Sequence, residues 1–350
     1  MLENTTSDLA LFSNRKKWII IGAGFTLLLG SALIAITLGA YPVSVPKVLQ
    51  LLVMPSGGQI NAEPSDQLMV MIVLDIRLPR IILAAVVGLA LATAGAVFQG
   101  CFRNPLVEPY ILGVSAGAAF GTALGIVVPL FFLPTQFSAF VFGTLAVALA
   151  YKMARVRGEL PVVTLVLAGV IIGAVFSAMV SILKYLSDDA ALREIVFWLM
   201  GGFYHAGWID VAVAAPVILT AFIFAWLLGW QLNVLSMGDE EARALGIKPE
   251  LVKILLIIAA TLMTALAVSV AGVIAWVGLM MPHAARMILG PDHRFLIPMA
   301  GVLGAIYLIW CDTLARTLTA TEIPVGIITA IVGAPYLLYL LRTKGRGVVA

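Results

Sequence analysis

The residues able to do chemistry in this chain are few, and they fall in clusters. The densest run of charge is Ser236-Met-Gly-Asp-Glu-Glu-Ala-Arg-Ala-Leu-Gly-Ile-Lys-Pro249. Its pattern predicts a short amphipathic helix over 236–247. Ser236 and Asp239, three apart, fit a capping box, and Asp239 with Arg243 forms an i,i+4 pair oriented to suit the helix dipole. Glu240 and Glu241 add charge, Ala242 and Leu245 are expected on the opposite face, and Gly246 with Pro249 supplies a stop. Such a segment is either a solvated loop helix or a docking helix for a soluble partner. A second cluster is Arg77 and Arg80, three apart on one helix face. A third is Asp312, the deepest acid, with Arg316 four residues later as its natural partner.

What is missing narrows the chemistry further. Cys101 and Cys311 form no paired motif, and His205, His283 and His293 lack ligand spacing, so no metal site is expected. No Lys is followed by Ser or Thr, which excludes a Walker A loop and ATP hydrolysis on this chain. HExxH, GxSxG and potassium-filter sequences are absent as well, so no catalytic residue is expected. Asp75 and Asp210 fall near span ends, and Glu108 lies in the turn Arg103-Asn-Pro-Leu-Val-Glu-Pro109. An ion-coupled carrier needs ionisable groups or broken-helix ion sites within the membrane. The interior here reads as inert, so the driving energy is expected from a separate soluble motor.

The elements that position these residues are set by lipid. Of the 350 residues, 62% are hydrophobic and 11% charged, about half the roughly 25% charged share of globular chains. Apolar runs predict an all-α integral membrane protein with about ten spans. They lie at 18–40, 77–100, 110–130, 136–152, 161–184, 208–230, 251–275, 277–290, 296–316 and 324–341, the eighth being short. The whole chain, 1–350, reads as one transmembrane domain with a cytoplasmic segment at 1–17. The first span is too long for a signal h-region and is expected to remain uncleaved. In the third span Gly113, Gly117, Gly121 and Gly125 recur every four residues, a small-residue stripe for close helix packing. Arg80 and Arg103 bracket the second span, which places Arg77 and Arg80 at the outer interface.

With ten spans, fifteen of the 21 Lys and Arg residues fall on one side and six on the other. By the positive-inside rule both termini and segment 236–247 then face the cytoplasm. The net charge of +3 restates that bias and does not point to nucleic acid. The outer stretch 41–67, rich in Pro and Gly, is expected to be irregular. Ser187–Gly207 is expected to hold a short helix at the outer surface.

Several ordered motifs carry a family resemblance that extends from about residue 15 to 342. They are Arg77-Leu-Pro-Arg80, Gly95-Ala-Val-Phe-Gln-Gly100, Arg103-Asn-Pro-Leu-Val-Glu-Pro-Tyr-Ile-Leu-Gly-Val-Ser-Ala-Gly117 and Glu241-Ala-Arg-Ala-Leu-Gly246. Further on are Gly272-Val-Ile-Ala-Trp-Val-Gly-Leu-Met-Met-Pro-His-Ala-Ala-Arg286, Gly290-Pro-Asp-His-Arg294 and Pro324-Val-Gly-Ile-Ile-Thr-Ala-Ile-Val-Gly-Ala-Pro335. With these the chain resembles the FecCD-type permease subunits of ABC importers for iron–siderophore, haem and vitamin B12, the type II importers with the vitamin B12-importer fold. The resemblance implies a homodimer in membrane lipid, enclosing a pathway for a large metal chelate. A ferric siderophore leads, with haem or a corrinoid (cobalamin) as alternatives. It implies two cytoplasmic ATPase subunits that hold ATP and Mg, with no cofactor on this chain. Segment 236–247 would be the coupling helix. An extracytoplasmic substrate-binding protein would dock through acidic residues on Arg77, Arg80 and Arg316, three cations expected to be exposed on the rim. The inner gate would be Asn104 and Leu106, with a second layer near Val163 and Thr164, where this chain departs from the family's small-polar pattern. Gln99 and Asn104 also read as ordinary interhelical hydrogen-bonding groups.

Overall fold

A bilayer offers backbone groups no hydrogen-bond partners, so apolar runs of this kind close their own bonds as helices. In the computed structural model every described crossing segment is helical. The structure describes residues 13–39, 41–53, 64–128, 133–155, 160–319 and 321–344. The chain begins with α1 (Asn14–Thr37) and the short α2 (Val45–Val53). Next come α3 (Pro64–Val70), a π-helical stretch Met71–Arg77 and α4 (Leu78–Phe102), which run on without interruption. A 3-10 turn (Pro109–Leu112) leads into α5 (Val114–Val127), α6 (Thr135–Ala154), α7 (Val162–Leu186) and α8 (Asp189–Met200). Then follow α9 (Trp208–Leu227), α10 (Gly229–Met237), α11 (Asp239–Ala244), α12 (Pro249–Ala271), α13 (Val277–Leu289), α14 (His293–Thr317) and α15 (Val325–Lys344).

Among the described residues seven helices are long and apolar enough to cross a membrane, and three shorter apolar ones, Val114–Val127, Val277–Leu289 and Val325–Tyr339, bring the apolar segments to ten. At 1.5 Å per residue α5 and α13 reach only about 20 Å, short of a ~30 Å hydrocarbon core. The third span is therefore a 3-10 turn plus a half-length helix rather than one helix over 110–130. Both short helices start at one interior point. There Tyr110 Oη donates to the Ile274 carbonyl (2.7 Å) and the Trp276 N–H donates to Glu108 (3.3 Å). Non-helical backbone at this depth is tolerated because protein groups satisfy it. Trp276 itself sits at φ +75°, a strained conformation for a bulky residue that its surroundings must impose.

Helix α4 is buried along most of its length and forms the axis of the bundle. Glycines allow that. A methyl group on Gly88 would overlap the Gly304 carbonyl of α14, and one on Gly95 would overlap the Gly278 carbonyl of α13. The α5 stripe works likewise on α6: Gly117 lies against the Phe142 carbonyl, Gly121 against that of Ser138, and Gly125 touches Thr135. Gly113 is not on that stripe. It adopts φ +83° as the cap before α5 and faces Gly169 and Gly173 of α7.

Other sequence expectations need correction. Part of the stretch expected to be irregular is helical, as α2 and α3, while 54–63, with Pro55, Gly57 and Gly58, lies outside the described residues. The second span does not begin at Arg77. Pro79 has no N–H, and its ring would collide with the Asp75 carbonyl in α-helical register. The helix instead widens over Met71–Arg77, with the Leu78 N–H reaching the Val73 carbonyl, and passes the proline unbroken. At the N-terminus, Arg15 to Lys17 belong to the first turn of α1 rather than preceding it, and Lys17 packs over the Phe295 ring at 5.1 Å. The helix expected within Ser187–Gly207 is α8, capped by the Asp188 carboxylate on the Ala191 N–H (2.8 Å).

Candidate functional site: a lever, a loop and an arginine cluster

Gly238, at φ +149°, separates α10 from α11 and sets the charged turn at an angle to the helix before it. Ser236 therefore does not cap α11. It lies inside α10, and its hydroxyl donates to the Leu232 carbonyl (2.9 Å). Nor does Asp239 reach for Arg243. Its carboxylate accepts two bonds from Lys253 Nζ of α12 (2.5 and 2.7 Å), while Arg243 pairs with Glu250 at 2.5 Å. Tertiary partners have displaced the local pattern, because Lys253 is buried and needs a counter-charge. The C-terminus of α11 is a Schellman motif: Ile247 N–H donates to Ala242 and Gly246 N–H to Arg243, with Gly246 at φ +78°.

Ala242 and Leu245 do not share a face. Ala242 is fully buried, whereas Leu245 has left the helical turn and is 56% exposed. Glu240, Glu241 and Arg243 are exposed beside it. The turn thus presents one apolar side chain within a charged border on a rigid base.

That base is tied to two long helices. Lys253 links it to α12. Asn233 of α10 donates to Asp292 (2.7 Å) and accepts the His293 N–H (2.8 Å), which links it to the start of α14. Burial alone would raise the Asp292 carboxyl, but bonds from Arg294 and Asn233 outweigh it and hold the group at about 2. Asp239→Asn is expected to loosen this base. An exposure-discounted charged pair of about 1–1.5 kcal/mol corresponds to roughly tenfold faster amide exchange across 238–247. Hydrogen-exchange mass spectrometry would read it, and unchanged exchange would show that the Lys253 tie does not hold the turn.

On the same end of the bundle α4 finishes at Arg103, in left-handed conformation (φ +50°). Asn104 Oδ1 accepts the Leu106 N–H (2.9 Å), forming a tight Asx turn that leaves Leu106 51% exposed. Gln99 anchors the loop from within. Its Nε2 lies 3.3–3.4 Å from the carbonyls of Val107, Gly278 and Leu279, and its Oε1 accepts from Arg286 (3.1 Å). Thr164, half-buried in the first turn of α7, has no bond to this loop among the described residues, and Val163 beside it is 79% exposed.

At the other end Arg77, Arg80 and Arg316 converge, but not as three exposed cations. Arg77 donates to the carbonyls of Ile36 (2.7 Å) and Tyr41 (2.6 Å), and Arg316 to those of Ala35 (2.8 Å) and Leu38 (3.1 Å). Both cover the carbonyl end of α1, where positive charge is favoured. Arg80 chelates Asp312 through Nε (3.0 Å) and Nη2 (2.8 Å), and Nη1 meets Glu322 at 2.9 Å. Arg316 adds its expected contact to Asp312 at 3.3 Å. The expectation of an open cationic rim is corrected: Arg77 and Arg80 are buried and Arg316 is half-buried, because Asp312, Glu322 and the end of α1 occupy their donors. Sequence reasoning missed Glu322, Lys253 and the Arg80–Asp312 pairing. Lys253 next to the charged run was the one available hint.

A bundle of long apolar helices with two half-helices at its centre and a charged turn at one end is the architecture of a multi-pass membrane protein. The chain belongs to the FecCD transport family, whose model matches residues 27–343. It is 44% identical to a protein of Halobacterium salinarum named as a cobalamin import system permease, over 78% of this chain and 74% of that one. It is 40% identical to a Haemophilus influenzae protein named as a molybdate import system permease, over 93% and 96% of the two chains. Among solved structures it matches a transporter described as metal-chelate type ABC, in an inward-facing conformation. The TM-score is 0.81 and the identity 36%, over 92% of this chain and 98% of that one. The chain is accordingly a multi-pass membrane permease of the ABC class, a class that works with ATPase partners.

Proposed function

We propose that two copies of this chain form the pathway of an ATP-driven importer, with both termini and α11 in the cytoplasm. Two ATPase subunits holding ATP and Mg engage α11, and an extracytoplasmic binding protein docks at the arginine end. The cargo is a large metal chelate. A ferric siderophore leads, with haem or a corrinoid as alternatives, in keeping with relatives named for iron(3+)-hydroxamate, haemin and cobalamin import. Asn104 and Leu106, with Thr164 on the facing helix, form the inner gate.

One observation carries the reading. Helix α14 is tied at His293 to the base of the lever and at Asp312 and Arg316 to the arginine cluster. Its 25 residues, with Pro298 among them, span about 37 Å, so a push on α11 and a load on the arginine end act on one continuous helix. Docking acids reach Arg80 through the edge now held by Glu322, whose side chain is 38% exposed.

The test is reconstitution of the permease with its ATPase and binding protein in liposomes, supplied with 55Fe-labelled ferric siderophores of the hydroxamate and catecholate classes. Expected is accumulation that requires hydrolysable ATP and survives ionophores. Accumulation that persists without the ATPase and collapses with an ionophore would establish an ion-coupled carrier instead.

A further inference from the structure

Helix α7 carries a second pattern, which starts at Val163 beside the gate residue Thr164 and continues beyond it. Val163, Val170, Ser177 and Lys184 recur every seven residues, and Ser181 lies on the same face, so one stripe runs the length of the helix. Val163 and Val170 are exposed on it, at 79% and 56%. The outer half turns polar. There Ser177, Ser181 and Lys184 line one wall of an open groove of about 300 Å³, with Ser115 of α5, Leu199 of α8 and Val273 on the other.

Most donors along this groove are uncommitted. Ser181 spends its hydroxyl on the Ser177 carbonyl (3.0 Å), but the hydroxyls of Ser115 and Ser177 have no partner among the described residues. Lys184 pairs with no carboxylate there, and no acid lines the groove. A lysine at a helix end commonly snorkels to the lipid surface. Here the exposed residues of that turn are Tyr185 (88%) and Leu186 (68%), while Lys184 is half-buried along the groove wall. Lys184 stands in the last turn of α7, where the helix dipole favours a cation, and no carboxylate among the described residues neutralises it.

We infer that Ser115, Ser177 and Lys184 form an anion-binding subsite on the pathway wall, and that the cargo it serves is an anionic chelate. The inference rests on the importer reading for placing the α7 stripe on the pathway. The cation offers charge and the two hydroxyls offer donors to anionic oxygens, while Val273 and Leu199 meet the apolar body of the chelate. One cation suffices to orient an anionic cargo, and the absence of a second keeps the cargo from being trapped.

The test uses two probes of one metal and similar size that differ in charge, a ferric tris-catecholate trianion and a neutral ferric tris-hydroxamate. Binding of each is measured to the full-length permease in nanodiscs. The catecholate is expected to bind more tightly, to weaken at least tenfold in Lys184→Gln, to recover in Lys184→Arg and to weaken with salt. Hydroxamate binding is expected to be unchanged in both variants. Equal binding of the two probes, no catecholate binding, or a Lys184→Gln variant that folds and binds like the parent would overturn the subsite. If Lys184-dependent binding holds while the reconstituted complex shows no ATP-dependent uptake of either probe, the importer reading fails and the subsite stands.

Discussion

Asp312→Ala is expected to destabilise the permease by about 3–5 kcal/mol, because it leaves a buried guanidinium without its counter-charge. Arg80 donates through two nitrogens to Asp312, which is 1% exposed, and the pair lies between the start of α4 and the end of α14. With the carboxylate gone, Nη1 alone remains paired, to Glu322 on a partly exposed loop. Glu322→Gln is expected to cost well under about 1 kcal/mol, since solvent screens that contact. Thermal unfolding in nanodiscs would rank the two. The double variant Arg80→Met with Asp312→Leu separates structure from docking. Apolar replacement of a whole buried pair is commonly neutral or stabilising, so this protein should fold well yet lose stimulation by the binding protein. Normal stability of Asp312→Ala would show that Arg80 has other partners, and full stimulation of the double variant would remove Arg80 from the docking surface.

That pair also marks the limit of what the chain shows as text. The spans were legible because lipid forces hydrogen bonds to close within each segment, so hydropathy and helix map onto each other directly. The breaks were not. Helices α5 and α13 start in mid-bundle because Tyr110 and Glu108 satisfy the backbone at Ile274 and Trp276, more than 160 residues away. The arginines read as an exposed rim for the same reason, since Asp312 is 232 positions from Arg80. Near the lever even local rules gave way. Ser236 and Asp239 have the spacing of a capping box, but Gly238 breaks the chain between them and Lys253, 14 positions on, claims the carboxylate. Glycine was legible in type and only partly in role: Gly117 and Gly121 pack as a stripe, whereas Gly113 is a left-handed cap.

Leu245→Asp is expected to abolish coupling while leaving the fold intact. Leu245 is 56% exposed and makes no core contact that its loss would open, so the change in stability should stay within about 0.5 kcal/mol. An exposed apolar side chain ringed by Glu240, Glu241 and Arg243, on a turn locked by Asp239–Lys253, has the anatomy of an interface anchor with a polar rim. Burying a leucine contributes about 1.5–3 kcal/mol, so the affinity for the ATPase should fall roughly 10- to 150-fold. ATP-driven uptake should fall with it, and excess ATPase should recover part of it, because the defect is one of binding. Glu240→Gln and Glu241→Gln should act differently, shifting the association rate and its salt dependence more than the final affinity. A solvated loop helix would tolerate all three changes alike. Full uptake and unchanged ATPase co-purification with Leu245→Asp would return the turn to that reading and leave the motor to engage the permease elsewhere.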